Sequence, residues 1–112
     1  MTPSEKKFLL DIKDAISNVD VHLEGRRVFD EFTSSLTKRR AVEREIEIIG
    51  EATNNLLKLA PGIMLSSARQ IVNMRNRVIH AYDNVDETIL WKVVMKDLPV
   101  LYAEVTIFLD GE

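Results

Sequence analysis

The chain has 112 residues, enough for a single domain with one hydrophobic core, and 46% apolar against 29% charged residues excludes a disordered chain. It contains no cysteine, which excludes disulfides, thiolate metal sites and a cysteine nucleophile. The net charge of −3 argues weakly against a nucleic-acid partner, but the charge is unevenly spread. Residues 1–51 carry nine Lys/Arg and eleven Asp/Glu, and residues 83–112 carry two and seven. Residues 52–82 hold Lys58, Arg69, Arg75 and Arg77 and no acid. That middle third suits an anion or phosphate site. Chance segregation of solvated charges would look the same.

The opening "MTPSEKKFLLDI" has no long apolar segment and no cleavage-site pattern, so no signal peptide is expected. No apolar run approaches the ~20 residues of a membrane span. A cytoplasmic protein without a membrane partner is the expectation.

Thr2-Pro3-Ser4-Glu5 reads as a capping box with proline at the first helical position. Phe8, Leu9, Ile12, Ala15, Ile16 and Val19 then recur at helical spacing. The pattern stops near Leu23-Glu24-Gly25, and Arg26 to Phe32 offers a helical turn or two. A long helix is predicted from Leu36 to Leu59. One stripe on it is Val42, Ile46, Ile49 and Leu56, and a second is Ala41, Ile48, Ala52 and Leu59. Together they make an apolar face wider than one neighbour needs. Gly50 in mid-helix costs up to ~1 kcal/mol relative to Ala, which suggests a close helix approach there. Pro61-Gly62 ends the helix. Ser67 and Gln70 form a second capping box, Asp83-Asn84 reads as a turn, and Asp86 caps the last helix. That helix runs through Leu90, Val94, Leu101, Val105 and Phe108, with a kink expected from Pro99 after Asp97-Leu98. No segment alternates with period two. The fold expected is an all-α, up-and-down four-helix bundle with a short extra helix, a single domain over residues 1–112.

The helix opened by Ser67 contains "MRNRVIHAY", residues 74–82. Met74, Val78 and Ala81 continue a core stripe with Ile71. Arg75 falls between that stripe and Val72 and Ile79, inside an apolar sector, with Tyr82 nearly above it. A buried arginine needs an anionic partner, a second chain or a ligand. Asn76 and His80 are four apart and share a face. Arg75 and His80 are five apart, about 140° around the helix. One chain can bring both to a single phosphate only if the helix ends or distorts near His80. A two-fold dimer pairing this helix with its copy is the other solution.

Arg, Asn and His suit phosphodiester cleavage by the neighbouring 2′-hydroxyl without a metal. His80 exchanges protons near neutral pH, Arg75 stabilises charge on the phosphoryl oxygens, and Asn76 orients His80 or the phosphate. The motif has no carboxylate and one imidazole, so no metal or cofactor site is expected. On these residues alone, a structural arginine with a surface histidine competes with catalysis. Glu51 reads as a solvated carboxylate, pairing with Arg75 being the alternative. His22 reads as a surface or capping residue. Lys38-Arg39-Arg40 reads as a solvated helix start, with an RNA or partner contact as the alternative. Trp91, Met95 and Tyr102 read as packing residues.

"RNRVIHAY" resembles the Arg-Asn-x-x-x-His-x-Tyr signature of HEPN-domain proteins, specifically the HepT-like toxins. "AVEREIEIIGEATNNL" is similar to the segment before that motif, and "NVDETILWKVVMKDLPVLYAEV" to the family's final helix. "KKFLLDIKDAISNVDVHLEG" fits more loosely, so the resemblance covers nearly the whole chain. It implies a HEPN-like homodimer acting as a metal-independent endoribonuclease, the toxin of a type VII-like toxin–antitoxin pair, with its active site at the dimer interface. By motif position Arg75 and His80 would be catalytic and Asn76 the polar residue accompanying them, so that Arg75, Asn76 and His80 are the catalytic candidates; Arg77 and Arg69 are the candidate RNA contacts. The substrate implied is RNA, tRNA foremost, and not DNA. The partner implied is a minimal nucleotidyltransferase (MntA-like) antitoxin that transfers AMP to Tyr82. The same signature is compatible with a non-catalytic HEPN dimer, a nucleotide-binding or interaction subunit of that nucleotidyltransferase.

Overall fold

The computed structural model describes residues 1–80 and 85–111, and these are all helix, turn or irregular chain. Helix α1 spans Pro3–His22, and the Thr2 side chain caps it by accepting from the Glu5 amide at 3.1 Å. It ends as the sequence suggests, at Leu23, after which Glu24 and Gly25 take positive φ of 56° and 69°. Glycine meets that requirement without strain, whereas Glu24 adopts it against the usual preference. The short α2, Phe29–Thr33, is tied back by Arg26, whose guanidinium donates twice to Glu31 at 2.7 and 2.5 Å. This hydrogen bond holds the Glu31 carboxyl below the usual carboxylate range. The pair lies at the surface, so it orders the connection more than it stabilises the fold.

Helix α3, Leu36–Leu59, has the predicted limits, with Ser35 accepting from the Lys38 amide at its start. Helix α4 spans Ala68–Ile79, α5 spans Glu87–Lys92 and α6 spans Leu98–Asp110. Asp86 caps α5 as expected, accepting from the Thr88 and Ile89 amides. Ser67 stands at the N-cap of α4, but its side chain makes no capping bond and its backbone, at ψ 3°, is not extended. The predicted capping box therefore does not form, because a side-chain cap needs the β-region backbone seen at Thr2.

Pro99 disturbs the last helix upstream of itself, not after Asp97-Leu98. Between α5 and α6 the chain makes a π-helical turn, Val93–Asp97. Proline has no N–H for the carbonyl four residues earlier, and its ring crowds that carbonyl. A widened turn absorbs both effects.

The helices form a ring. α3 packs between α1 and α4, α1 also contacts α6, and α4 closes onto the π turn. The core is the apolar set the periodicity marks, including Leu9, Ile12, Ile46, Ile49, Leu56, Ile71, Met74, Leu90 and Leu101. Trp91 packs its ring on Phe32 at 4.9 Å and Phe29 at 5.9 Å, which fastens α2 to α5. Met95 is exposed and not core, its sulfur lying 3.9 Å from Arg27 Nη1. Of the second α3 stripe, only Ala52 is buried, while Ile48 and Leu59 are exposed. Among the described residues, no helix is long and apolar enough to cross a membrane.

Candidate active site

The site is built where α4 crosses α3. A Cβ placed on Gly50 would lie 2.2 Å from the Cβ of Arg75 and 2.6 Å from its Cγ. Only a residue without a side chain lets the arginine stem lie on the α3 backbone. This is the close approach suggested by the mid-helix glycine.

From there the Arg75 guanidinium reaches two acceptors. Nη2 donates to Glu51 Oε2 at 2.5 Å, and Nη1 donates to Asn76 Oδ1 at 3.0 Å. Glu51 is thus the anionic partner of Arg75, not the solvated carboxylate the sequence suggested. The two are 24 positions apart, and the helix crossing decides for the pairing that the sequence offered as the alternative. Asn76 orients Arg75 rather than His80.

The Arg75 side chain is 24% exposed and the Glu51 side chain 53%. A pair this open contributes on the order of 1 kcal/mol or less, so it aims the guanidinium without locking it. The planar guanidinium has the fork geometry that takes a phosphate through two parallel N–H donors. Around this pair lies an open pocket of about 250 Å³ lined by Arg44, Glu47, Ile48, Glu51, Arg75 and Ile79. Ile48 and Ile79 are 38% and 41% exposed, so apolar surface frames the charged centre.

His80 stands at the C-terminal end of α4, where the backbone leaves the helix at φ −102° and ψ 4°. The helix therefore stops at His80, as a shared Arg75–His80 site within one chain requires. His80, Asn76, Arg77 and Arg69 are all exposed. Tyr82, with Ala81 and the Asp83-Asn84 turn, lies outside the described residues.

His22 and Arg39 also depart from what the sequence suggested. His22 is half-buried, and its Nε2 lies 2.7 Å from Oε2 of Glu45, a carboxylate with 9% side-chain exposure. The imidazole N–H donates to the buried acid, joining α1 to α3. Arg39 is not a solvated helix start either: its Nη1 donates to Glu87 at 2.7 Å, across to the first turn of α5. Arg40 pairs locally with Glu43. Among the described residues, no cluster of three or more His, Asp or Glu side chains gathers as a metal site.

The site thus sets an anchored arginine, an adjacent asparagine and an exposed histidine at a helix end on an all-helical bundle. Residues 12–107 match the family model described as Ribonuclease HepT-like. The chain belongs to the HepT-like family of the HEPN superfamily. It is 37% identical over 105 residues to a Thermococcus cleftensis protein named "Probable ribonuclease HepT", covering 90% of this chain and 92% of that one. It is 34% identical over 106 residues to a Methanocaldococcus jannaschii protein named "Putative RNase MJ1380", covering 91% and 94%. No solved structure matches it.

Proposed function

We propose that this chain is a metal-independent endoribonuclease, with Arg75 and His80 as its catalytic residues and Asn76 positioning the arginine. The observation that carries the reading is Arg75: a guanidinium seated on Gly50, aimed by Asn76 and Glu51, open to an anion, on the helix that ends at an exposed His80.

The chemistry follows from the groups. The 2′-oxygen of the substrate attacks the adjacent phosphorus and the bond to the 5′-oxygen breaks. The proton lost by the 2′-hydroxyl is balanced by one gained by the departing 5′-oxygen. One imidazole serves either transfer, and a two-fold dimer supplies a second. Arg75 stabilises the charge that builds on the non-bridging oxygens. The products are a 2′,3′-cyclic phosphate and a 5′-hydroxyl.

The dimer pairs α4 with its copy through the exposed Ile48 and Ile79 beside Arg75, placing two Arg–Asn–His sets over one cleft. The chain acts as the toxin of a toxin–antitoxin pair, with RNA, tRNA foremost, as substrate. A nucleotidyltransferase antitoxin silences it by transferring AMP from ATP to the hydroxyl of Tyr82, two residues beyond His80, with pyrophosphate as the leaving group. The added bulk and negative charge oppose RNA phosphate. Mass analysis of the cleaved ends tests the chemistry. We expect 2′,3′-cyclic phosphate and 5′-hydroxyl termini, and no cleavage of a strand with a deoxyribose at the scissile position. 5′-Phosphate termini would refute the mechanism.

A further inference from the structure

Arg75 does not exhaust the anion chemistry of α4. The exposed face of this helix carries Arg69, Gln70, Asn73, Asn76, Arg77 and His80, and no carboxylate. At about 100° per residue, His80 falls between Asn76 and Arg77 around the helix, close above Asn73. Moving away from Arg75 past His80 leads directly to Arg77.

At Arg77 the surface is concave. A groove of about 240 Å³ runs between α4 and the α5–π segment, and Arg77, Lys92 and Lys96 all line it. Gln70 and Asn73 add amide donors and acceptors, and buried Met74 and Val93 form an apolar floor. Asp97 is the single carboxylate in the lining. Among the described residues none of the three cations has an ion-pair partner, whereas Arg26, Arg39 and Arg40 each have a carboxylate within 2.9 Å. The π turn that Pro99 imposes carries Lys96, directly after Lys92 on α5, so the widened helix forms one wall of the groove. Such turns recur at functional sites.

We infer that the α4–α5 groove is a docking tract for single-stranded RNA. Arg77, Lys92 and Lys96 hold consecutive phosphates of the strand flanking the scissile bond, and Gln70 and Asn73 meet its base or ribose edges. The inference rests on the ribonuclease reading for its occupant and extends it to a surface remote from Arg75. Three cations against one acid favour a polyanion, and continuity with the His80 face favours the strand being cut.

The test measures binding separately from cleavage. Binding of a fluorescent single-stranded oligoribonucleotide is titrated against full-length His80→Ala protein, which holds RNA without cutting it. The same background then carries Arg77→Glu, Lys92→Glu and Lys96→Glu together, or the milder pair Lys92→Gln and Lys96→Gln. All these positions are exposed, and matching helical circular dichroism and melting confirm the fold. We expect the charge-reversed protein to bind at least tenfold more weakly. The dependence of log affinity on log salt should become shallower by roughly 0.7 for each phosphate contact removed. The neutral pair should lie between the charge-reversed and unaltered proteins. Undiminished affinity and slope would overturn the inference, whether or not wild type cleaves RNA. Retained RNA binding with lost binding of a nucleotidyltransferase partner would overturn it in favour of a protein-docking surface. Absence of cleavage by wild type would defeat the ribonuclease reading alone, because groove binding is read in protein that does not cut.

Discussion

At the scale of single residues, the site depends on what Gly50 lacks. Alanine is the better helix former by up to ~1 kcal/mol, so on propensity alone Gly50→Ala would stabilise α3. Its methyl would meet Arg75 Cβ at 2.2 Å, however, and both atoms belong to short, stiff parts of their residues. Overpacking of this kind costs about 1–3 kcal/mol and cancels or exceeds the propensity gain. We therefore expect Gly50→Ala to melt a few degrees lower by circular dichroism and to lose RNA cleavage along with the placement of Arg75. A variant that melts higher and keeps full activity would show that α4 does not need this close approach.

At the scale of elements, the helix limits were legible because local chemistry writes them. Thr2-Pro3 opens α1, Leu36 and Leu59 bound α3 before Pro61-Gly62, and Asp86 caps α5. The end of α4 at His80 was anticipated only as a condition for Arg75 and His80 to cooperate. What stayed hidden is what distant elements do to one another. His22 meets Glu45 from 23 positions away and Arg39 meets Glu87 from 48, while the pairing of Glu51 with Arg75 from 24 was offered only as the less favoured alternative. No spacing rule within one helix reports such pairs. The groove at Arg77 escaped for the same reason, since Lys92 and Lys96 come from another helix. The Ser67 box failed because matching residue types do not fix the backbone angle a cap requires.

The His22–Glu45 bond is the test at this scale. His22→Ala leaves a buried carboxylate without its donor, and hydrogen bonds to charged groups are worth about 1.5–3 kcal/mol. Urea unfolding should show a loss of about that size with little change in the slope. A loss below a few tenths of a kcal/mol would mean that Glu45 finds another partner or protonates.

At the scale of the whole molecule, the ring of helices leaves its charged centre framed by Ile48 and Ile79 on one side of α3 and α4. Isolated exposed apolar residues are ordinary. Their position beside an open ion pair on the unfilled stripe of α3 is what a second copy would cover. Ile48→Glu should shift the protein from dimer to monomer in sedimentation velocity and abolish cleavage while leaving the melting of the chain's helices largely intact. A monomeric wild type that cleaves RNA would remove the dimer from the account. A second imidazole would then have to be dispensed with, and His80 would serve both proton transfers in turn.

The proposed activity depends on Arg75 and His80 cutting RNA without a metal. The most direct measurement is cleavage of total RNA by purified protein in excess EDTA, wild type beside His80→Ala, after intact mass has shown that neither carries an added AMP. Cleavage by wild type and none by the variant is the result expected. Equal cleavage by both, or none by unmodified wild type, would contradict it. The second result would favour the non-catalytic alternative, an interaction subunit of a nucleotidyltransferase that does not cut RNA.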